Sequence, residues 1–428
     1  MRSFFNITKK KLAPVAKLVG HEIEGHLKWS SCVTGADDCI YGIPCNARRV
    51  AKFDPSDKSL VEIGPDLGRA MWKWQGGVLA NDGCIYCLRS GNPDNSVLKI
   101  DTVNGNITVH QSVLPESGAM MWAAGALGPD GCIYYMPAYA LRVLKFDPRN
   151  LSFESVGEQV RGHGWKHFGT VVGNDGCIYG IPNEATAIVR YNPTNQQTSY
   201  VAREAKDGIG CKGNGALGRD GHIYAANVDG QVLRVDLKND TYNIFGAKIA
   251  SENPQQMSKE WGDAILGNDG CIYWPPSKAK YTLKFDPGNN SVTQVGGEFK
   301  NSIYKWSCGA ATSDNIIYCL PINASHVLEI DPFSEFVSSL QNNLVMRPGD
   351  VGCLFNRDVF GETGYESAVR KYGLDTVTKV VHRNITNNSS CAGVGLPLFI
   401  LAAACDKSAT PLIYNLFRSD PSLMNGLS

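Results

Sequence analysis

Several polar residues in the middle of the chain have side chains that could support acid–base or metal chemistry. His167 could act as a general base, with Asp263 or Glu260 orienting its imidazole ring. Asn214, Asp263 and Glu260 could instead supply the oxygen ligands that a calcium or magnesium ion prefers. These residues are far apart in the sequence, so either site depends on the elements that bring them together.

A short motif that recurs seven times predicts those elements. The stretch GNDGCIYGIP at 173–182 returns with small changes at 80–89, 128–137 and 267–276. When the copies are aligned on the residue after Asp-Gly or its variants, the intervals are 45 to 49 residues, a period typical of propeller blades. The aligned residues are Cys39, Cys84, Cys132, Cys177, His222, Cys271 and Ile316.

Each copy contains four short segments of β-type sequence. A stretch of small residues leads to Asp-Gly, which predicts a tight hairpin turn, and the β-prone CIYGIP follows. A third segment such as RVLKFDP (142–148) ends at a proline, which stops strand pairing, and a fourth such as FESVG (153–157) completes the copy. The sequence therefore predicts an all-β fold, a seven-bladed β-propeller of four-stranded blades, whose closed ring leaves no long exposed edge.

The two ends of the repeat region set the predicted domain boundaries. The propeller is expected to span residues 13–344, and two segments compete for the outer edge of its last blade, VAKLVG (15–20) and EFVSSL (335–340). The sequence does not decide which of the two segments occupies that edge. From about residue 345 the apolar spacing becomes helical, which predicts a small C-terminal α-helical extension over 345–428.

The cysteine that recurs in the motif is interpreted as a packing residue. Both faces of a blade are covered by neighbouring blades, and a free cysteine behaves as a small apolar side chain. Equivalent positions on adjacent blades are about 10 Å apart, beyond the reach of a disulfide. Reduced thiols, and an N-terminus that does not read as a secretory signal, favour a cytoplasmic protein.

The overall charge limits the classes of partner. The 41 basic and 41 acidic residues cancel, so no broad electrostatic field attracts nucleic acid or an anionic membrane, and neither is an expected partner. The apolar stretch at 394–405 is too short to span a bilayer.

A second set of residues lies ten positions before each aligned residue, at the start of what is predicted to be the innermost strand. Large aromatics here could wedge between neighbouring blades, or they could frame a binding mouth together with lysines such as Lys166. Asn46, Asn183 and Asn323 lie in loops on the same face, where they could hydrogen-bond a ligand. The set consists of Trp29, Trp74, Trp122, His167, Lys212, Trp261 and Trp306.

The pattern Asp-Gly-x-Ile-Tyr followed by Val-Leu-x-Phe-Asp-Pro resembles a broad group of repeat propellers. That group includes streptogramin-lyase-like and gluconolactonase or regucalcin-like proteins, and the whole motif is most similar to repeat proteins of diatoms and related algae. Gluconolactonase-like relatives imply a divalent metal near the axis, with Asn214 and Asp263 as loose counterparts of the ligands. Lyase-like relatives imply a catalytic histidine and magnesium, with His167 as the candidate histidine.

These observations lead to two functional hypotheses. The first is a binding or scaffold propeller that uses one mouth of the channel for a protein, a peptide or a small anionic ligand. The alternative is a metal-dependent hydrolase or lyase, with calcium or magnesium and a site on blades four to six, where the repeat pattern is broken by His167, Asn214 and Asp263.

Overall fold

The ring of blades is contained in the part of the chain that the computed structural model describes, residues 15–332 except 90–95, 117, 119, 163, 186, 202–209, 212, 249–259, 300–303 and 315. These residues form 28 β-strands in seven sheets of four strands each, and no helix occurs among them. Each sheet is one blade, so the predicted seven-bladed β-propeller of four-stranded blades is confirmed. Residues Ala16–Ile330 form one compact unit.

The strands follow the chain in order, and blades 1 to 6 each run from an inner to an outer strand. The first strand, β1 (Val15–Val19), belongs to the last blade. Blade 1 comprises β2 (Trp29–Thr34), β3 (Ile40–Pro44), β4 (Val50–Asp54) and β5 (Ser59–Ile63). Blade 2 comprises β6 (Trp74–Leu79), β7 (Cys84–Arg89), β8 (Ser96–Asp101) and β9 (Ile107–Gln111). Blade 3 comprises β10 (Trp122–Leu127), β11 (Ile133–Pro137), β12 (Val143–Asp147) and β13 (Ser152–Val156).

The remaining blades repeat this order. Blade 4 comprises β14 (His167–Val172), β15 (Ile178–Pro182), β16 (Ile188–Asn192) and β17 (Gln197–Val201). Blade 5 comprises β18 (Ala216–Leu217), β19 (Ile223–Ala226), β20 (Val232–Asp236) and β21 (Thr241–Phe245). Blade 6 comprises β22 (Ile265–Leu266), β23 (Ile272–Trp274), β24 (Thr282–Asp286) and β25 (Ser291–Val295). Blade 7 contributes β26 (Ala310–Ala311), β27 (Ile317–Cys319) and β28 (Val327–Asp331).

The ring is closed by the N-terminal strand. In blade 7 the strand order is β1-β28-β27-β26, so β1 is the outermost strand of a blade whose other three strands come from the far end of the repeat region. This arrangement decides between the two segments that compete for that edge in the sequence, because the 15–20 segment occupies it. Residues 335–340 lie outside the described residues.

A repeated side-chain bond holds the hairpin turn of every blade. The aspartate of Asp-Gly accepts a hydrogen bond from the tyrosine hydroxyl four residues later, as between Asp130 and Tyr134 at 2.8 Å and between Asp175 and Tyr179 at 2.8 Å. In blades 1 to 4 and in blade 6, a basic residue on the third strand pairs with the same carboxylate, as Lys145 does with Asp130 at 3.0 Å. The motif letters Asp, Tyr and Lys or Arg therefore form one local network that ties the first three strands of a blade together.

The motif cysteines are buried between the sheets. Cys39, Cys84, Cys132, Cys177 and Cys271 are all buried free thiols. Their neighbours are apolar side chains of the same and the adjoining blade, for example Tyr179 and Ile223 around Cys177. This environment agrees with the packing interpretation.

Two sequence predictions fall mostly on residues that the structure does not describe. The C-terminal helical extension over 345–428 lies outside the described residues, as do positions 13 and 344, the predicted limits of the propeller. The described strands run from Val15 to Asp331. Within the described part of the chain, no helix has the length and apolar character needed to cross a membrane.

Candidate functional site

The tryptophans at the start of the inner strands are buried inside the ring. Trp29, Trp74, Trp122, Trp261 and Trp306 are each less than a tenth exposed. Four of the indole N–H groups donate to the backbone carbonyl twenty residues later in the same blade, at distances of 2.9 to 3.1 Å, with Arg49, Arg142, Tyr281 and His326 as the acceptors. Because a buried indole needs both apolar contact and a hydrogen-bond acceptor, these positions match the wedge interpretation.

The lysines that precede these tryptophans are also buried. Lys28 Nζ donates to the carbonyls of Gly25 and Ala324, both at 2.9 Å, so it joins the chain before blade 1 to a loop of blade 7. Burial lowers the pKa of Lys28 and that of Lys305 to about 8, and it also lowers the pKa of Lys73 and of Lys166. Lys28 and Lys305 thus use their ammonium groups to bind loop carbonyls rather than to present charge to an anion.

The loop asparagines support the residue two positions before the tryptophan. Asn46 Oδ1 accepts the backbone N–H of Trp72 at 3.0 Å, and Asn323 Oδ1 accepts that of Leu27 at 2.7 Å. In both cases the asparagine reaches from one blade to the next. Asn183 Nδ2 donates to the carbonyl of Trp165 at 3.1 Å, within blade 4.

The residues at this repeat position form a set of large, mostly apolar side chains that lead into the inner strands on one face of the ring. Trp72 is 44% exposed and Tyr304 is 36% exposed, while the others are half-buried. We call this set the collar, and it consists of Leu27, Trp72, Met120, Trp165 and Tyr304. The corresponding residue of blade 5 is Gly210, and that of blade 6 lies outside the described residues.

The backbone of the collar is unusual for such residues. Leu27, Trp72, Met120 and Tyr304 have φ values of 49° to 55°, in the left-handed region that bulky residues rarely adopt. Four equivalent positions therefore share a strained conformation that turns the chain into the inner strand. Strain of this kind commonly marks functional surfaces.

Further aromatic side chains extend the collar at blades 3 and 4. Trp165 stacks on Phe168 with ring centroids 5.2 Å apart and an interplanar angle of 6°. Tyr139 is 48% exposed, and the centroid of its ring lies 6.3 Å from that of Trp165. At blade 2, Met71 beside Trp72 is 62% exposed and adds an apolar side chain. The result is a discontinuous apolar rim on one face of the propeller.

His167 occupies the tryptophan position of blade 4 and is completely buried. Its Nδ1 lies 2.8 Å from the carbonyl oxygen of Pro137; a carbonyl only accepts, so Nδ1 carries the proton. Nε2 is buried and has no hydrogen-bond partner among the residues that the structure describes. The pKa of His167 is lowered to about 4, chiefly by burial; the hydrogen bond to the Pro137 carbonyl opposes the shift and the charge of Lys166 adds to it.

Asn214 and Asp263 hold neighbouring inner strands together. Asn214 Oδ1 accepts the N–H of Thr170 at 3.0 Å and that of Gly215 at 3.1 Å, and Asp263 Oδ1 accepts the N–H of Asn214 at 2.9 Å. These bonds connect blades 4, 5 and 6 near the axis. Glu260 contributes its backbone carbonyl, which accepts three N–H groups from residues 277 to 279 of its own blade.

Two of the oxygens that the metal hypothesis requires, Oδ1 of Asn214 and Oδ1 of Asp263, are engaged by backbone N–H groups. Asn214 Oδ1 faces two N–H donors, whose hydrogens carry partial positive charge, and Asp263 Oδ1 faces a third. Among the described residues, no group of three or more His, Cys, Asp or Glu side chains is arranged to hold a metal ion. His167, Asp263 and Glu260 instead make separate structural contacts, and Lys212 lies outside the described residues.

Replacing Asn214 with alanine is expected to lower the free energy of unfolding by about 2 kcal/mol, because two backbone N–H groups lose their acceptor. The free energy is obtained from urea denaturation with and without Ca²⁺ or Mg²⁺. We expect the loss to be the same in both conditions and the wild-type protein to gain no stability from either ion. A gain in the wild-type protein that disappears in Asn214→Ala would contradict this structural role.

Comparisons with known proteins identify relatives in structure but not in sequence. No family model and no curated protein matches the chain. Streptogramin B lyase superposes with a TM-score of 0.59 at 13% identity, covering 74% of this chain and 97% of the lyase. A catalytically inactive virginiamycin B lyase from Staphylococcus aureus, solved with quinupristin, also gives 0.59 at 13% identity, covering 74% and 99%. Hydrazine synthase of Kuenenia stuttgartiensis gives 0.53 at 10% identity, covering 73% and 97%.

These similarities concern the fold. They confirm the resemblance to streptogramin-lyase-like propellers, while the algal resemblance remains a prediction. At 10 to 13% identity they transfer neither substrate nor catalytic residues. The collar was not anticipated from the sequence, although its signal is visible there as a large apolar residue two positions before the tryptophan position in five of the repeats.

Proposed function

We propose that the protein is a binding propeller whose collar receives an apolar or aromatic segment of a partner protein or peptide. The observation that carries this proposal is the presence of Trp72 and Tyr304, both substantially exposed, at equivalent positions with left-handed backbone. Packing within the ring does not account for their exposure, since the buried tryptophans two residues later already fill the space between blades.

The energetic cost of the collar supports this assignment. A bulky residue in the left-handed region costs about 1 kcal/mol, and the collar contains four. Asn46 and Asn323 reach across from neighbouring blades to hold two of them in place. Exposed aromatic side chains on a strained backbone, here Trp72 and Tyr304, resemble the rigid anchors that dominate the energetics of binding interfaces.

The chemistry of the mouth favours an apolar partner over a small anion. Lys28 and Lys305 direct their ammonium groups at loop carbonyls, and burial lowers their pKa values. Lys278, over the ring of Tyr304 at 4.9 Å, contributes charge at the edge of the collar. A peptide with aromatic or aliphatic anchors and a peripheral acidic group suits this arrangement.

A selection of random peptides displayed on phage tests this function. We expect peptides rich in aromatic and aliphatic residues to be enriched on the wild-type protein, and synthetic copies to bind Trp72→Ala/Tyr304→Ala about 30-fold more weakly or worse, because two anchors are lost. Isothermal titration calorimetry measures the affinity.

The matched control removes exposed apolar side chains elsewhere on the ring. Val61, 50% exposed on β5, and Ile244, 46% exposed on β21, lie on outer strands. The Val61→Ala/Ile244→Ala variant is expected to bind like the wild-type protein. Equal affinity of the selected peptides for the collar variant and the wild-type protein would refute the proposal, as would a selection that enriches no peptide.

The alternative of a metal-dependent hydrolase or lyase has less support. Two of the three structures named above are lyases, but His167 is buried away from solvent, and Oδ1 of Asn214 and Oδ1 of Asp263 accept backbone N–H groups. We therefore assign no reaction to these residues.

A further inference from the structure

Two buried thiols meet where the first and last blades join. The Sγ atoms of Cys32 and Cys308 are 3.1 Å apart, and both side chains are less than a tenth exposed. Cys32 lies on β2, the inner strand of blade 1, and Cys308 immediately precedes the inner strand of blade 7. A disulfide bond is about 2.05 Å long, so the sulfur atoms need to approach each other by roughly 1 Å.

The pair joins two different repeat positions. Cys308 lies eight residues before its aligned residue Ile316, whereas Cys32 lies seven residues before Cys39. Inner strands of neighbouring blades approach each other closely near the axis: Gly76 and Ala124 occupy equivalent positions of blades 2 and 3, and a Cβ on the glycine would lie 3.2 Å from Ala124 Cα. Asp263 occupies the same repeat position as Cys308 and also contacts the neighbouring blade, where its Oδ1 accepts the N–H of Asn214.

The surroundings of the pair are apolar and closely packed. Trp29, Phe53 and Tyr318 belong to the same buried cluster, which joins blades 1 and 7. Burial, followed by the neighbouring Cys32 and the charge of Asp263, raises the pKa of the Cys308 thiol well above its ordinary value. Since the thiolate is the reactive form, thiol–disulfide exchange is slow while the contact between blades 1 and 7 is closed.

We propose that Cys32 and Cys308 form a reversible disulfide that locks the seam between the first and last blades. The oxidant is a low-molecular-weight disulfide such as oxidised glutathione. One protein thiolate attacks the oxidant and releases a first reduced thiol; the second protein thiolate then attacks the mixed disulfide and releases another. The oxidant's S–S bond breaks, the Cys32–Cys308 bond forms, the two protons leave with the released thiols, and two electrons pass from the protein to the oxidant.

The disulfide would close a loop of chain that includes almost the whole ring of blades. Cys32 and Cys308 are 276 residues apart, so the cross-link restricts the unfolded chain over a very long loop. It would also complement the pairing of β1 with β28, which closes blade 7 at its outer edge. The ring would then be fastened both near the axis and at the periphery.

Oxidation of the full-length protein with excess oxidised glutathione tests the proposal. After unfolding and alkylation of the remaining thiols, peptide mapping by mass spectrometry is expected to show a link between Cys32 and Cys308. The midpoint of thermal unfolding is expected to rise by about 5 to 10 °C and to return to its initial value in dithiothreitol.

Two variants distinguish a Cys32–Cys308 disulfide from one that involves the nearby thiol of Cys319. Cys308→Ala is expected to abolish both the link and the reversible thermal shift, whereas Cys319→Ala, at a buried thiol of the same blade, is expected to retain them. A link between Cys308 and Cys319, or no link to Cys32 after oxidation, would overturn the proposal. If the alanine variants do not fold, the peptide map of the wild-type protein gives the decision.

Discussion

Trp306→Ala is expected to lower the free energy of unfolding by about 4 kcal/mol, one of the largest effects of any single substitution in the ring. The indole is 2% exposed, its N–H donates to the carbonyl of His326 at 3.0 Å, and its edge packs against Phe299 with centroids 5.2 Å apart. Alanine would leave a large cavity and an unsatisfied carbonyl between blades. Urea denaturation followed by circular dichroism measures the loss.

Tyr304→Ala provides the matched comparison, because Tyr304 lies two residues before Trp306 in the segment that leads into β26. Tyr304 is 36% exposed, and its backbone carbonyl, which accepts the N–H of Asn323, is unchanged by the substitution. We expect a loss of less than about 1 kcal/mol. Equal losses for the two variants would mean that the collar serves stability rather than binding, and a small loss for Trp306→Ala would contradict the wedge interpretation.

His167→Gln is expected to reduce the acid sensitivity of the fold. The pKa of His167 is lowered from 6.5 to about 4 in the folded protein, chiefly by burial. Between these values the unfolded chain binds a proton that the folded protein does not, so stability is complete above pH 6.5 and is lost as the pH falls toward 4. The loss from this group between pH 7.5 and 4.5 should be about 2 to 3 kcal/mol.

The glutamine variant isolates that contribution. Its amide can donate to the carbonyl of Pro137 as the imidazole does, but it does not titrate. Urea denaturation of both proteins at pH 7.5 and 4.5 gives the comparison, because other titrating groups are common to both. If the two proteins lose the same stability on acidification, His167 is not a source of the pH dependence.

The fold could be predicted because its information is local and repeated. Asp-Gly specifies the turn, and the alternation of short β-prone segments with Asp-Pro or Asn-Pro fixes the number of strands per blade. The tyrosine of the motif illustrates the limit of such reasoning: the sequence predicts correctly that it lies on a strand, but not that the hydroxyls of Tyr134 and Tyr179 donate to the aspartates that form the turns.

The site was harder to predict because its residues act across blades. Asn46 and Asn323 are polar loop residues of the kind that often bind ligands, yet their side-chain oxygens accept backbone N–H groups of the next blade. The collar depends on a left-handed backbone that the residue types themselves disfavour, so propensity points away from it. The proximity of Cys32 and Cys308 likewise depends on the close approach of inner strands near the axis, which the general spacing of about 10 Å between packed sheets does not predict.

The position of β1 beside β28 has a consequence for how the protein folds. During synthesis the strand at 15–19 leaves the ribosome before the other described strands, but its partner at 327–331 is made last among them. Contacts of such high sequence separation close slowly. Until they form, two complementary strand edges are exposed to solvent and to other chains, so ring closure is the step at which exchange of strands between nascent molecules competes with correct folding.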